Sequence, residues 1–232
     1  MPYRRLPNTD AARLRALKIA FEKGKELPPF KLAFSQSTLH KIQSFLPSFE
    51  KAMFETRQAY GKQIEKSKEY LYVVKKARLY ISHFIQVLNM AIMRGDIPAT
   101  ERKYYGIQDY ATKLPSLNTE ADLIKWGEKL IHGETIRAME ARAPITNPTI
   151  AVVKVRYEKF LDAFKFQKML QKNYHRSQEH LEDLRNQANR IIVDIWNEVE
   201  ATFIEDSDQR HRDKSKAYGV IYVFRKNELE NK

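Results

Sequence analysis

The chain of 232 residues contains no cysteine. That absence removes disulfides, thiolate metal sites, thiol nucleophiles and cysteine-ligated iron–sulfur clusters together, and it fits a reducing compartment. Glycine and proline are scarce, at seven and nine residues, which disfavours a turn-rich all-β fold and leaves helices as the simpler expectation. No apolar run reaches the roughly eighteen residues of a membrane span, and Arg4 and Arg5 are followed by no uninterrupted apolar stretch or small-residue cleavage site. The expectation is a soluble, cytoplasmic protein with no membrane partner. The glycines are scattered and form neither G-x-G-x-x-G nor G-x-x-x-x-G-K-[ST], so a phosphate-cradling loop is not expected. No G-x-S-x-G activates a serine either.

What is present is 43% hydrophobic and 30% charged residues, a globular balance, with a net charge of +12. The charge is lopsided: residues 1–100 hold 18 Lys and Arg against 8 Asp and Glu, or +10, which leaves +2 for the rest.

Two stretches resemble each other. Leu6-Pro7-Asn8-Thr9-Asp10-Ala11 recurs as Leu114-Pro115 followed by Asn118-Thr119-Glu120-Ala121. Each reads as a helix start, with Asn or Thr capping free N–H groups and an acid at the positive end of the dipole. The first helix is expected from Asp10 to Lys23, stopping at Gly24; the second runs from Glu120 to Ile131 and stops at Gly133 or continues to Ala141. A shift of 112 then places Ser35-Gln36 on Asn147-Pro148, each a capping residue followed by a first helical position. The same shift sets Phe45 on Tyr157, Phe54 on Phe166, Arg78 on Arg190, Phe84 on Trp196 and Val87 on Val199. One residue later Lys103-Tyr104-Tyr105-Gly106-Ile107 matches Lys216-Ala217-Tyr218-Gly219-Val220. The pattern is that of an internal duplication, 1–112 and 113–232.

Stepping by three and four from Ile42 to Ala91, the residues are apolar except at Thr56, Gln63 and Lys66, a sustained heptad stripe. A second stripe passes through Ile150, Val153, Tyr157, Phe160 and Phe164, then Leu181, Ala188, Ile192, Ile195 and Val199, with Gln167, Gln171, Gln178 and Arg185 interrupting it. Pro47 should kink the first long helix or cut off a short one, Gln36 to Leu46. The polar middles, Arg57 to Glu69 and Gln171 to His180, read as solvated parts of continuous helices. Val220-Ile221-Tyr222-Val223-Phe224 is β-branched and aromatic and reads as a short strand, with Tyr105-Gly106-Ile107 as its candidate partner. Residues 1–18, 28–39, 76–92 and 147–160 resemble segments of bacterial all-helical proteins to which no activity is assigned. The resemblance implies a helical fold and no ligand or partner.

For chemistry, His175, Glu179, His180 and Asp183 are the densest group of potential ligands. His175 and Glu179 share a helical face while His180 points about 100° away, and the spacing is neither H-E-x-x-H nor the paired E-x-x-H of di-iron bundles. A solvated polar face explains them, and no metal, cofactor or catalytic residue is assigned. Lys62, Lys66, Lys68, Lys75 and Lys76, interleaved with Tyr60, Tyr70 and Tyr72, are the candidate nucleic-acid contacts. Glu65 and Glu69 interrupt that patch, and lysine-rich helix faces are ordinarily just solvated. Arg78 and Arg190 read as bundle arginines carrying their charge outward.

The expected fold is therefore all-α, an elongated helical bundle of two short and two long helices related by pseudo-twofold symmetry, with a short C-terminal β element. The expected function is a non-enzymatic structural or protein-interaction bundle with a protein partner or self-association. A basic nucleic-acid-binding protein is the alternative, and a metal-dependent helical-bundle enzyme the second.

Overall fold

The computed structural model describes residues 3–108 and 113–224. The fold is all-α with one small β element. Helices α1 (Asp10–Glu26), α2 (Gln36–Met93), α3 (Glu120–Met139), α4 (Ile150–Thr202) and α5 (Asp208–Lys216) are joined by short 3-10 turns at Pro29–Lys31 and Ala99–Tyr105. Strands β1 (Tyr3–Arg4) and β2 (Tyr222–Val223) pair antiparallel, Tyr3 opposite Val223 and Arg4 opposite Tyr222.

The helix starts form for the reasons read from sequence. Thr9 Oγ1 accepts from Ala12 N at 3.2 Å. Thr119 makes the fuller version, accepting from Asp122 N at 3.1 Å while Asp122 returns a carboxylate to Thr119 N at 3.2 Å. These bonds hold the Asp122 carboxyl below the usual carboxylate range. Ser35 caps α2 by accepting from Thr38 N at 3.2 Å.

Several boundaries differ from expectation. Gly24 does not end α1 and Gly133 does not end α3; both lie inside their helices because they are close-approach positions. A side chain at Gly24 would strike Leu39, and one at Gly133 would meet Tyr104 O at 2.7 Å. Pro47 leaves α2 unbroken: it is exposed, flanked by buried Phe45, Leu46 and Phe49, and its missing bond falls on the water-facing side. Asn147-Pro148 is no helix start. That peptide is cis, Asn147 has φ 57°, and α4 begins at Ile150. Both polar middles are helical throughout. Strand β2 pairs with β1, not with Tyr105–Ile107, and Arg5 N donates to Ile221 O at 3.0 Å.

The described chain forms two compact units, residues 3–60 with 173–224, and residues 61–172. Neither coincides with a sequence half, since each takes part of α2 and part of α4. The core of the first packs Leu17 and Ala20 of α1 with Ile42, Phe45 and Phe49 of α2 and Ile192, Trp196 and Val199 of α4. The core of the second packs Leu123 and Leu130 of α3 with Ile81, Phe84 and Leu88 of α2 and Val153 and Phe160 of α4.

The two units share detailed features. The alternation of buried, half-buried and exposed positions over Ala77–Met90 recurs position for position over Ala188–Ala201. That offset is 111, one short of the shift that aligns the aromatics. At the same offset Ile42, Leu46 and Phe49 correspond to Val153, Tyr157 and Phe160, all buried. Arg78 then corresponds to Asn189 rather than Arg190. Arg78 Nη2 donates to Asn118 O at 3.1 Å and Asn189 Oδ1 accepts from Arg13 Nε at 2.8 Å, so one ties α2 to the segment that leads into α3 and the other ties α4 to α1. The Tyr-Gly-aliphatic motifs close alike: Ile107 N reaches back to Arg102 O and Val220 N to Ser215 O, with Gly106 and Gly219 at φ 64° and 89°. Tyr105 and Tyr218 are both buried and both edge onto a phenylalanine, Phe84 and Phe34.

Candidate functional site

From Leu71 to its end at Met93 helix α2 carries no Asp or Glu, but it does carry Lys75, Lys76 and Arg78, with Arg94 in the turn that follows. Its buried stripe is Ala77, Ile81, Phe84, Ile85 and Leu88. On the opposite face Leu79 lies one heptad after Tyr72 and Met93 two heptads after Leu79, with exposed Gln86 between them and Met90 one turn before Met93; Tyr72, Leu79, Met93 and Met90 are 60%, 55%, 79% and 46% exposed. A helix with one apolar stripe buried and a second in water presents a surface at which another helix can pack.

The five candidate lysines do not form one patch. Lys68 and Lys75 are exposed two turns apart along the flank of the Tyr72–Met93 stripe. Lys76 lies over the Tyr72 ring at 5.5 Å. Lys66 is half-buried and bonds Glu69 at 3.2 Å, and Lys62 is exposed about 120° around the helix from Lys68. Three lysines thus border the apolar stripe, and one is already neutralised.

At the other candidate, His175 Nδ1 and Glu179 form an exposed i, i+4 pair at 3.2 Å, with His180 and Asp183 also exposed. Among the described residues no group of three His, Asp or Glu is placed to hold a metal ion.

Among the described residues the buried charged side chains Glu101, Arg102, Glu134 and Arg137 all lie in the second unit, where the sequence pattern alone does not mark a site. The 3-10 turn at Ala99–Tyr105 brings Glu101 and Tyr105 against Glu134 and Arg137 of α3. Arg137 is 2% exposed; its Nε donates to Glu101 at 2.8 Å, Nη1 to Glu134 at 2.5 Å and to the Tyr105 hydroxyl at 3.1 Å, and Nη2 to Ala143 O at 2.9 Å. Tyr105 in turn donates to Glu134. Burial, followed by the Glu134 carboxylate that takes its hydrogen bond, pushes the Tyr105 phenol far above its ordinary value. Burial alone would lower Arg137, yet Tyr105 and Glu134 outweigh it and raise it. A phenol that holds its proton and a guanidinium that keeps its charge pin the turn to α3 through these hydrogen bonds and ion pairs. One signal could have revealed it: stepping by three and four from Leu123 through Gly127 and Leu130 lands the buried stripe of α3 on Glu134 and Arg137.

In the first unit the polar ties are shallower. Arg185 grips Asp10 through Nε and Nη2 at 2.7 and 2.8 Å, and Glu198 accepts from Ser35 N and Thr38 Oγ1 at 2.5 and 2.6 Å. Burial works against the ionised Glu198, but these bonds lower its pKa overall. Among the described residues no helix is long and apolar enough to cross a membrane. No protein-family model, curated protein or solved structure matches the chain.

Proposed function

We propose that the protein is a non-enzymatic structural or interaction protein that docks an acidic, apolar helical partner along the exposed face of α2. The observation that carries this reading is the Tyr72–Leu79–Met90–Met93 stripe on a stretch of helix without a single acid. Apolar contact supplies the driving force for a helix laid along that face, and Lys68, Lys75 and Lys76 select its charge. A second copy of this chain, at net charge +12, is a poorer match than an acidic partner. An ancestral duplication belongs to the same reading, supported by the recurrence of burial at offset 111 and by the matched Tyr-Gly closures. So does a cytoplasmic setting, which suits a chain without cysteine.

The test is titration of the whole protein with a synthetic helical peptide bearing Leu at heptad a and d positions and Glu beside them, followed by fluorescence anisotropy. Saturable binding is expected, weakened about tenfold by Leu79→Glu or Met93→Glu, which set a carboxylate into the contact, and weakened by salt. Failure of the peptide to bind removes the reading. Binding of a generic DNA duplex that falls steeply with salt and ignores Leu79→Glu would install the nucleic-acid alternative in its place.

A further inference from the structure

A groove with a volume of about 330 Å³ opens within the second unit between α2 and α4. Tyr70, Val73, Ala163 and Phe166 give it apolar walls, and Lys66, Glu69, Asp162 and Gln167 its polar groups. Its size sits at the small end of ligand-binding clefts.

Gln167 is 7% exposed, and its Oε1 is buried without a hydrogen-bond donor from the protein. Such an acceptor is costly to leave unmet. The other polar groups do not compete for it. Tyr70 donates to Glu120 at 3.1 Å, and Lys66 is held by Glu69 at 3.2 Å. Two carboxylates against one ammonium leave the lining with a net negative formal charge.

The first unit shows the same place closed. At offset 111 Gln167 corresponds to Thr56, whose hydroxyl donates to Ser177 O at 3.1 Å. Tyr70 and Val73 correspond to Leu181 and Leu184, both buried in the core. Where that unit satisfies its polar group internally, this one keeps an acceptor in a groove with carboxylates at its opening.

We propose that the groove binds a small organic amine: the ammonium meets Asp162 and Glu69, an N–H reaches Gln167 Oε1, and the hydrocarbon body lies between Tyr70, Val73 and Phe166. An organic acid of the same shape would bring a second acceptor to Gln167 and a like charge to the carboxylates, so the site discriminates by charge as well as size.

The experiment is NMR titration of the full chain with phenethylamine, read at the Val73 and Ala163 methyls, with 3-phenylpropionate as the charge-reversed control. Saturable one-to-one binding of the amine is expected, with none of the acid. Gln167→Leu keeps the volume and removes the acceptor; it should weaken binding about ten- to a hundredfold, and Asp162→Asn, at an exposed position that leaves folding alone, about tenfold. Thr56→Val, in the other unit, should change nothing. Absence of saturation, equal binding of the acid, or an affinity indifferent to both groove variants overturns the proposal, the last because the Gln167 amide is then satisfied by water alone. Neither groove variant touches the Tyr72–Met93 stripe, so acidic-peptide binding by the same variants separates failure here from failure of the docking reading.

Discussion

Replacing Arg137 by Leu puts into α3 the residue type that stands at Leu27, just past the end of α1, counting from the capping threonine of each helix. The guanidinium donates to Glu101, Glu134, Tyr105 and Ala143 O. Without it the two carboxylates remain where they are, 8% and 5% exposed. Glu101 keeps a distant partner, since Arg142 Nη1 lies 3.7 Å away, half-exposed. Glu134 keeps only the Tyr105 hydroxyl. Breaking a buried pair from one side costs about 3–5 kcal/mol, because the surviving charge is stranded. Replacing all members by well-packed apolar residues is about neutral, or stabilises by about 1–4 kcal/mol. Arg137→Leu should therefore lower the stability of the second unit by about 3–5 kcal/mol, and adding Glu134→Leu and Glu101→Met should restore most of it. Trp126 is half-buried in that unit and Trp196 is buried in the other. Guanidinium denaturation followed by Trp126 fluorescence in a Trp196→Phe background thus reports the relevant unit. A loss below about 1 kcal/mol for Arg137→Leu, or an equal loss when both carboxylates are gone, would refute the reasoning.

Gly133→Ala should destabilise by about 1–3 kcal/mol because the new methyl meets Tyr104 O at 2.7 Å. Gly61→Ala should stabilise by about 0.5–1 kcal/mol, since that helical position has nothing within 4 Å; thermal melts that rank the two the other way contradict the packing described. Tyr105 holds its proton in the folded state to higher pH than in the unfolded chain, so its contribution is whole below about pH 10 and declines above it, by about 1.4 kcal/mol per pH unit. Burial raises Tyr70, Tyr157 and Tyr222 to about 12 as well, so they add to the same alkaline decline. Denaturation at pH 9, 10 and 11, with phenolate absorbance in parallel, should show a shallower decline in Tyr105→Phe; an unchanged slope would mean the phenol is not protected.

What was legible in the residues was local chemistry. Thr9 and Thr119 cap because a side-chain oxygen beside free N–H groups needs nothing from the rest of the chain. The closures at Gly106 and Gly219 follow from glycine's tolerance of positive φ, and the heptad stripes carry both long helices through their polar middles. What was not legible depended on neighbours distant in sequence. Gly24 and Gly133 look like helix stops until Leu39 and Tyr105 are seen against them. Strand β2 has an extended-chain composition, but composition does not name Tyr3–Arg4 as its partner. Matching aromatics gives an offset of 112 because buried Trp196 stands next to Ile195, the position that answers to Phe84 when burial is matched at 111. Of the basic residues, the count was readable but not the sorting of Lys66 into an ion pair and Lys68 and Lys75 onto an apolar face. The unmet Gln167 acceptor was marked only as a polar interruption, since its cost exists only once helices close around it.

One unit is a single uninterrupted stretch, residues 61–172, while the other joins residues 3–60 to 173–224. During synthesis the former has all its parts as soon as residue 172 clears the ribosome. The latter must wait for Trp196, Val199 and Tyr218 before the core around Leu17, Phe34 and Phe49 is complete. At about 5–20 residues per second that interval is roughly ten to thirty seconds. The amino-terminal helices of each nascent molecule therefore spend the interval with part of their apolar surface uncovered, a point of risk on crowded polysomes.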